Sequence, residues 1–132
     1  MFLLDTNIVS DLVKNPTGPA ATRLAVTGGQ DTATSVIVVG ELRFGYMKKG
    51  SARLAERVEA VLERIEVVPL DPAVSADYGA IRRDLQARGL PIGENDLWIA
   101  AQARHIGAVL VTDNERELRR VDGLLIENWL RG

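Results

Sequence analysis

The sequence contains no cysteine and only one histidine, His105, and it has just two residues each of Trp, Tyr and Phe. The lack of cysteine excludes a disulfide framework, thiol chemistry and Cys-ligated zinc. No glycine-rich phosphate loop is present, because Gly28-Gly29 and Gly45 lack the required flanking residues. No apolar run is long enough to span a membrane, and no basic segment precedes the first apolar residues. We therefore expect a cytoplasmic protein without a membrane segment.

What remains is an ordinary globular composition, with 46% hydrophobic and 26% charged residues. A chain of 132 residues is long enough to bury one core, so we expect a single domain over residues 1–132. The net charge of −2 argues mildly against a broad basic face that grips nucleic acid. Acids gathered in one pocket would weaken that argument, because the sixteen Lys and Arg residues would then dominate the remaining surface.

Short apolar segments alternate with longer segments of helical periodicity. Such alternation predicts an α/β fold in which a parallel sheet of four or five strands lies between helices. Pro69 indicates an edge position for the third strand. The predicted strands cover residues 2–4, 31–35, 67–70, 109–112 and 124–126. The first predicted helix begins after the Thr6-Asn7 pair. The later ones cover about 19–27, 36–49, 52–65, 72–88, 94–106 and 115–120, with Ser35 and Ser51 as N-caps.

The first eleven residues organise this prediction. Phe2 to Leu4 show no alternation, which indicates a strand buried on both faces, and Asp5 ends it. Thr6 and Asn7 are both good N-cap residues for the helical pattern that follows. A carboxylate would thus lie at the carboxyl end of an interior strand, where open α/β sheets bind their ligands. Taken alone, Asp5 could equally be a simple strand-end cap.

Three further acids occupy related places. Asp113 ends the fourth strand, Asp96 lies in the first turn of its helix, and Glu41 lies about two turns into another. If the first and fourth strands are neighbours, these carboxylates can converge with Asp5 on one crevice. Two like charges 4 Å apart repel by about 4 kcal/mol at an effective dielectric constant of 20, so the cluster needs a counter-charge. Oxygen-only donors favour Mg²⁺ or Mn²⁺, and such an ion favours hydrolysis of a phosphodiester.

Each acid also has a simpler interpretation. Asp96 could stabilise a helix N-terminus, Glu41 could be a solvated helix residue, and Asp113 could be a turn residue. Independent caps would have no reason to share strand-end and crevice-facing positions. The joint pattern therefore favours a site.

Five segments in this order resemble PIN domains and, more narrowly, the VapC ribonuclease toxins of toxin–antitoxin pairs. They are LLDTNIVSD at 3–11, SVIVVGELRFG at 35–45, IGENDLWIAA at 92–101, LVTDN at 110–114 and GLLIENW at 123–129. The resemblance implies a Mg²⁺- or Mn²⁺-dependent endoribonuclease that acts on RNA as a homodimer. It also implies silencing by a VapB-type antitoxin, with operator DNA contacted only through that antitoxin.

The resemblance assigns roles to individual residues. Asp5 and Asp96 match the principal metal ligands, and Glu41 matches a third acid that completes the metal shell and orients water. Asp113 matches a position where Asp or Asn occurs, so it could serve a second ion or a metal-bound water. The catalytic set is thus Asp5, Glu41, Asp96 and Asp113, with supporting polar residues Thr6, Thr112 and Asn114. Thr6 remains equally interpretable as an N-cap.

Other residues leave choices open. Glu94 departs from the family pattern of a small residue or Pro and is expected to favour a helix N-terminus. Arg82 could bind phosphate or lie on a solvated face. The single histidine cannot run a two-histidine cleavage through the 2′-hydroxyl, so 5′-phosphate and 3′-hydroxyl products are expected. The alternatives are a flap-type DNA nuclease and a metal-free binding module whose acids receive a partner's arginine.

Overall fold

The computed structural model describes residues 1–131, which form a parallel five-stranded sheet and its connecting helices. The strands are β1 (Phe2–Leu4), β2 (Thr32–Ser35), β3 (Glu66–Val68), β4 (Val109–Val111) and β5 (Leu125–Glu127). The helices are α1 (Thr6–Lys14), α2 (Pro19–Thr27), α3 (Val36–Lys49), α4 (Ala52–Leu62), α5 (Val74–Ala87), α6 (Glu94–Ile106) and α7 (Glu115–Leu118), with a 3₁₀ turn at Gly29–Asp31. The predicted α/β class is confirmed.

The strand order β3-β2-β1-β4-β5 puts β1 in the centre of the sheet. Leu3 pairs with Ala33 on one side and with Leu110 on the other, and all three side chains are fully buried. A strand covered on both faces needs apolar residues at every position, which explains the unbroken run before Asp5. The third strand lies at an edge, as Pro69 predicts.

The chain moves outward from β1 through β2 to β3, and then returns across the sheet to β4 and β5. Parallel connections are right-handed, so helices α1 to α4 cover one face and helices α5 to α7 cover the other. This reversal places the topological switch point between β1 and β4, which pair in register from Phe2 with Val109 to Leu4 with Val111.

The helix starts show two differences from the prediction, the first being that α5 begins at Val74, with Ala73 as its N-cap, and not at residue 72. Ser35 and Ser51 cap α3 and α4 as expected, through bonds from the amides of Ile37 and Leu54 at 3.1 Å each. Helix α1, however, begins at Thr6 and its N-cap is Asp5, so the prediction of Thr6 or Asn7 as N-cap is wrong. Asp5, the residue directly after the strand, has an extended backbone, and its carboxylate accepts from the Thr6 amide, so it occupies the cap position itself.

The carboxyl-terminal segment closes the core. Trp129 is 2% exposed, and its ring packs on that of Phe2 with centroids 5.4 Å apart. Within residues 1–131, every helix falls short of the length and apolar character that crossing a membrane requires.

Candidate metal centre

The candidate site lies at the carboxyl ends of β1 and β4. The Asp5 amide donates to the carbonyl of Val111 at 2.9 Å, which extends the pairing of the two strands by one residue. Asp5 and Thr112, the residues that follow the two strands, therefore stand side by side. The loop and the first turn after β4 then carry polar side chains over the same edge of the sheet.

Asp5 is 3% exposed and both of its carboxylate oxygens are fixed. Oδ1 accepts from the Thr6 amide at 2.7 Å and Oδ2 accepts from the Thr112 hydroxyl at 2.8 Å. Burial raises the pKa of this carboxyl, and the two hydrogen bonds oppose the shift. The residue is both a helix cap and a desolvated acid with a fixed orientation, so the two interpretations of Asp5 are compatible.

Asp96 faces Asp5 from the first turn of α6. Burial raises its pKa, repulsion from Asp5 and Glu117 raises it further, and a hydrogen bond from Asn114 opposes the shift. The Asn114 amide nitrogen donates to Asp96 Oδ2 at 3.1 Å. Asn114 is held in turn, because its backbone amide donates to the Thr112 hydroxyl at 3.0 Å. One chain of hydrogen bonds thus links Asp5 to Asp96.

Glu41 reaches the same region from the third helix. Burial raises its pKa, repulsion from Asp5 and Asp96 adds to the shift, and interactions with Thr6 and Asn95 oppose it. Thr6 Oγ1 is close enough to influence Glu41. Even so, this buried atom makes no hydrogen bond of good geometry within residues 1–131. A buried hydroxyl without a firm partner at the edge of an acidic crevice suits a bound water.

Glu117 belongs to this cluster, although the sequence analysis did not single it out. Its Oε2 accepts from the same Asn114 nitrogen that holds Asp96, at 3.1 Å, and its charge raises the Asp96 pKa. Glu117 follows Asn114 by three residues in a helical turn, so the two side chains lie on one face. The three-residue spacing between Asn114 and Glu117 could have indicated this contact in the sequence. The segment also has the pattern of an ordinary charged helix, so Glu117 was not predicted as a site residue.

Asp113 is placed differently from the other predicted acids. Its side chain is exposed, and Oδ1 accepts from the Asn128 amide at 2.9 Å. It lines a separate surface cavity with Arg116, Arg119 and Arg131. The charge of Asp5 reaches both Glu41 and Asp96, whereas the Asp113 carboxylate is directed toward Asn128 and does not join them, so the expected convergence of all four acids is wrong for Asp113.

The donor set fits a hard divalent cation. No ion pair formed by residues 1–131 reaches Asp5, Glu41, Asp96 or Glu117, so their mutual repulsion has no protein counter-charge. In the same range no three acidic or histidine side chains are close enough to enclose an ion by themselves. An ion bound here would keep several waters, which is the behaviour of Mg²⁺ and not of structural zinc.

This fold and this acidic edge define a known class of protein. The family model of the PIN domain matches residues 2–124, and the chain belongs to the PIN domain family. The tRNA(fMet)-specific endonuclease VapC of Shigella flexneri is 38% identical over 97% of both chains. Ribonuclease VapC2 of Haemophilus influenzae (strain ATCC 51907 / DSM 11121 / KW20 / Rd) is 37% identical over 98% of both.

Solved structures agree. The DNA-bound VapBC of Salmonella typhimurium has a TM-score of 0.89 at 34% identity, over 97% of each chain. VapBC2 of Rickettsia felis, bound to a promoter DNA fragment, has a TM-score of 0.88 at 32% identity, over 97% of this chain and 98% of that one. The resemblance to PIN domains, and more narrowly to VapC proteins, is confirmed.

Proposed function

We propose that the chain is the toxin of a toxin–antitoxin pair and acts in the cytoplasm as a Mg²⁺- or Mn²⁺-dependent endoribonuclease. The observation that carries this proposal is the set of three carboxylates, Asp5, Glu41 and Asp96, whose pKa values are raised and which form no ion pair within residues 1–131. Relatives that span nearly the whole chain are named ribonucleases, which supports RNA as the substrate.

The contacts of each residue indicate its role in the proposed reaction. Asp5 and Asp96 would hold the ion, with Thr112 and Asn114 keeping both carboxylates in place. When bound, the ion would lower the pKa of a coordinated water and offset the negative charge of the phosphodiester. Glu41 is suited to orient the attacking water and to accept its proton, because burial and the nearby charges of Asp5 and Asp96 raise its pKa. Attack of this water on phosphorus, with the P–O3′ bond breaking and the O3′ oxygen leaving, would give 5′-phosphate and 3′-hydroxyl ends.

Other predicted residues have supporting roles in the proposal. The Thr6 hydroxyl, which lacks a firm partner, would bind water beside Glu41. Asp113 would act through water, since Asn128 holds its carboxylate away from the crevice. Glu117 would add negative charge and fix Asn114.

A VapB-type antitoxin is the proposed protein partner, because the solved relatives include toxin–antitoxin complexes. A surface groove of about 470 Å³ between α1, α2 and α4 could receive it. The groove is lined by apolar residues such as Leu12, Leu24 and Val61, with Arg57 and Arg64 also present. Contact with operator DNA would then pass through the antitoxin.

A homodimer is proposed on separate grounds. Phe44 and Met47 are 65% and 67% exposed on α3, so they offer an apolar contact that solvent does not favour. Analytical ultracentrifugation of the wild type and of Phe44→Ser would test this contact. A monomeric wild-type protein at micromolar concentration would contradict it.

The central experiment uses purified protein without antitoxin and a single-stranded RNA. Cleavage is expected with Mg²⁺ or Mn²⁺ and should stop on addition of EDTA. Asp5→Asn and Asp96→Asn should each abolish it, while Asp84→Asn should not, because Asp84 is a half-buried acid paired with Arg88 outside the crevice. Full activity in both crevice variants would contradict the proposal.

The binding-module alternative makes an opposite prediction in calorimetry. A metal-free module would show no Mn²⁺ binding by the free protein, whereas the proposed nuclease should bind Mn²⁺ and lose that binding as Asp96→Asn. A DNA nuclease would instead cut a flapped DNA duplex in preference to RNA of the same sequence.

A further inference from the structure

A second concave feature lies beside the acidic crevice, between α5 and the loop that precedes α6. Its volume is about 190 Å³. Sites for drug-sized molecules usually measure 300–1,000 Å³, so a cavity of this size suits a single small group. Apolar side chains of Leu85, Ile92 and Leu97 line part of it, and Arg82, Gln86 and Glu94 supply polar groups.

The polar groups form a connected set. Arg82 Nη1 donates to the Tyr78 hydroxyl at 2.9 Å, and that hydroxyl donates to Glu94 Oε1 at 3.2 Å. Within residues 1–131, Glu94 forms no ion pair and its second carboxylate oxygen accepts no side-chain hydrogen bond. The cavity therefore presents an anionic acceptor at Glu94, a cationic donor at Arg82 and an amide at Gln86.

An aromatic stack holds this set in position. The ring of Tyr78 stacks on that of Trp98 with centroids 3.9 Å apart and an interplanar angle of 17°. The Arg82 guanidinium lies 6.0 Å from the Tyr78 ring centroid on the same helix. Such contacts order otherwise flexible side chains before a ligand arrives.

The cavity and the candidate metal centre share the start of α6. Glu94 lines the cavity and Asp96 faces the crevice, and the two residues belong to one helical turn. Residues two apart on a helix point in different directions, so this turn separates the two features. A nucleotide next to a phosphate in the crevice could place its base in the cavity.

We propose that this cavity is a subsite for an unpaired guanine base of the RNA, adjacent to the scissile phosphate. The inference rests on the proposed function, because it takes RNA as the substrate. Sequence-specific proteins read single-stranded RNA by unstacking a base and bonding to its edges. Guanine offers donors to a carboxylate on one edge and acceptors to an arginine on another, and Arg with guanine is the commonest specific pairing.

The first test needs no catalysis. The chain has two tryptophans, so its NMR spectrum has two indole N–H signals. Titration with guanosine 5′-monophosphate should shift the Trp98 signal through Tyr78. The signal of Trp129, which is 2% exposed and packs on Phe2, should stay in place. Equal shifts with the adenine, cytosine and uracil nucleotides, or no shift at millimolar concentration, would overturn the proposal.

The second test reads base preference during cleavage. With a pool of randomised single-stranded RNA, the wild type should enrich guanine at one position next to the cut. Glu94→Gln and Gln86→Ala should reduce that preference by about 5- to 150-fold, the range for losing a specific base contact. Glu56→Gln is the matched control, an exposed helical glutamate that lines no part of the cavity.

The outcomes separate the two proposals. Cleavage with no base preference, unchanged in Glu94→Gln, would overturn the guanine subsite and leave the nuclease assignment intact. If the wild type cleaves no RNA, the nuclease assignment fails, and the nucleotide titration alone then decides whether the cavity binds guanine.

Discussion

Two glutamates on neighbouring helices, Glu41 on α3 and Glu59 on α4, have opposite electrostatic environments. Glu59 accepts two bonds from Arg43 at 3.0 and 3.1 Å and one from the Tyr46 hydroxyl at 2.9 Å, and these bonds lower its pKa. Burial and the charges of Asp5 and Asp96 raise the pKa of Glu41. Helix α3 therefore carries both Arg43, which pairs with Glu59 on α4, and Glu41, which lies at the crevice and forms no ion pair within residues 1–131.

Two aspartates repeat the contrast around α6. Asp77 accepts from Arg104 at 3.3 Å and from His105 at 2.9 Å, and these bonds outweigh burial and lower its pKa. Asp96 lies at the start of α6, the helix whose last turn carries Arg104 and His105, and its pKa is raised; within residues 1–131, Asn114 is its one side-chain donor. The bonds to Glu59 and Asp77 favour the charged carboxylates in the folded state and so favour folding. Glu41 and Asp96 have no such cationic partner within residues 1–131, so their charges lower the stability of the fold. Unpaired, desolvated acids of this kind are typical of functional sites.

The largest expected effect separates the two glutamates directly. Glu41→Gln keeps the shape of the side chain but removes its charge and its capacity to accept a proton. RNA cleavage should fall by about 10²- to 10³-fold, the scale of a lost proton acceptor or charge contact. Glu59→Gln should keep full activity, because the side-chain partners of Glu59 within residues 1–131 are Arg43 and Tyr46, which lie outside the crevice acids. Initial rates of RNA cleavage at saturating Mn²⁺ measure the activity of both variants. An equal loss of activity in the two would contradict the distinction between Glu41 and Glu59.

The second prediction concerns the missing counter-charge. A bound divalent ion should stabilise the folded state by about 2.7 kcal/mol at a concentration one hundred times its dissociation constant. Thermal unfolding should therefore shift upward with Mn²⁺ in the wild type and in Glu59→Gln, but not in Asp96→Asn. An equal shift in all three proteins would place the ion somewhere other than the crevice.

The third prediction compares two buried threonines at the same edge of the sheet. Thr112 donates to the Asp5 carboxylate at 2.8 Å, and Thr34 donates to the Leu4 carbonyl at 2.7 Å. Each change to Val leaves a buried acceptor short of a bond, so each should cost about 1–3 kcal/mol in urea unfolding. Only Thr112→Val should also weaken Mn²⁺ binding in calorimetry, because only that bond orients a proposed ligand.

The smallest effect is the pH dependence of stability without metal. Because the pKa of Asp96 is raised on folding, the folded protein binds its proton more readily than the unfolded chain. The charged form therefore opposes folding, and stability falls as pH rises from the ordinary value of 3.8 through the raised one. Asp96→Asn should be more stable than the wild type above this range, by less than ~1 kcal/mol because the group is half-exposed, and equal below it. Urea unfolding at several pH values in EDTA measures the difference.

Local patterns predicted most of the fold. The bounds of helices 36–49 and 94–106 match the prediction, because Ser35, Gly50, Gly93 and Gly107 mark their ends in the sequence itself. The last short helix ends at Leu118 and not at residue 120, and the last strand covers 125–127 and not 124–126. Such short elements have few internal hydrogen bonds, so tertiary contacts decide where they end.

The candidate site was only partly predictable. Asp5 and Asp96 follow from strand-end and helix-start positions, and their pKa shifts share burial as the largest cause. The orientation of Asp113 depends on Asn128, fifteen residues away, which no local pattern connects to it. Glu117 is linked to the cluster through Asn114, whose backbone amide donates to the Thr112 hydroxyl, and no local pattern shows this link.

The sequence by itself determined the alternation of strands and helices, the central buried strand and the acids at its end. Periodicity and capping are local properties, so a single chain displays them without its partners. Only the tertiary structure decided which carboxylates lack a cation, which one is turned aside, and that Arg82 and Glu94 line one cavity. Those outcomes depend on pairing between distant segments, because electrostatic energy depends on the distance between groups and not on their separation along the chain.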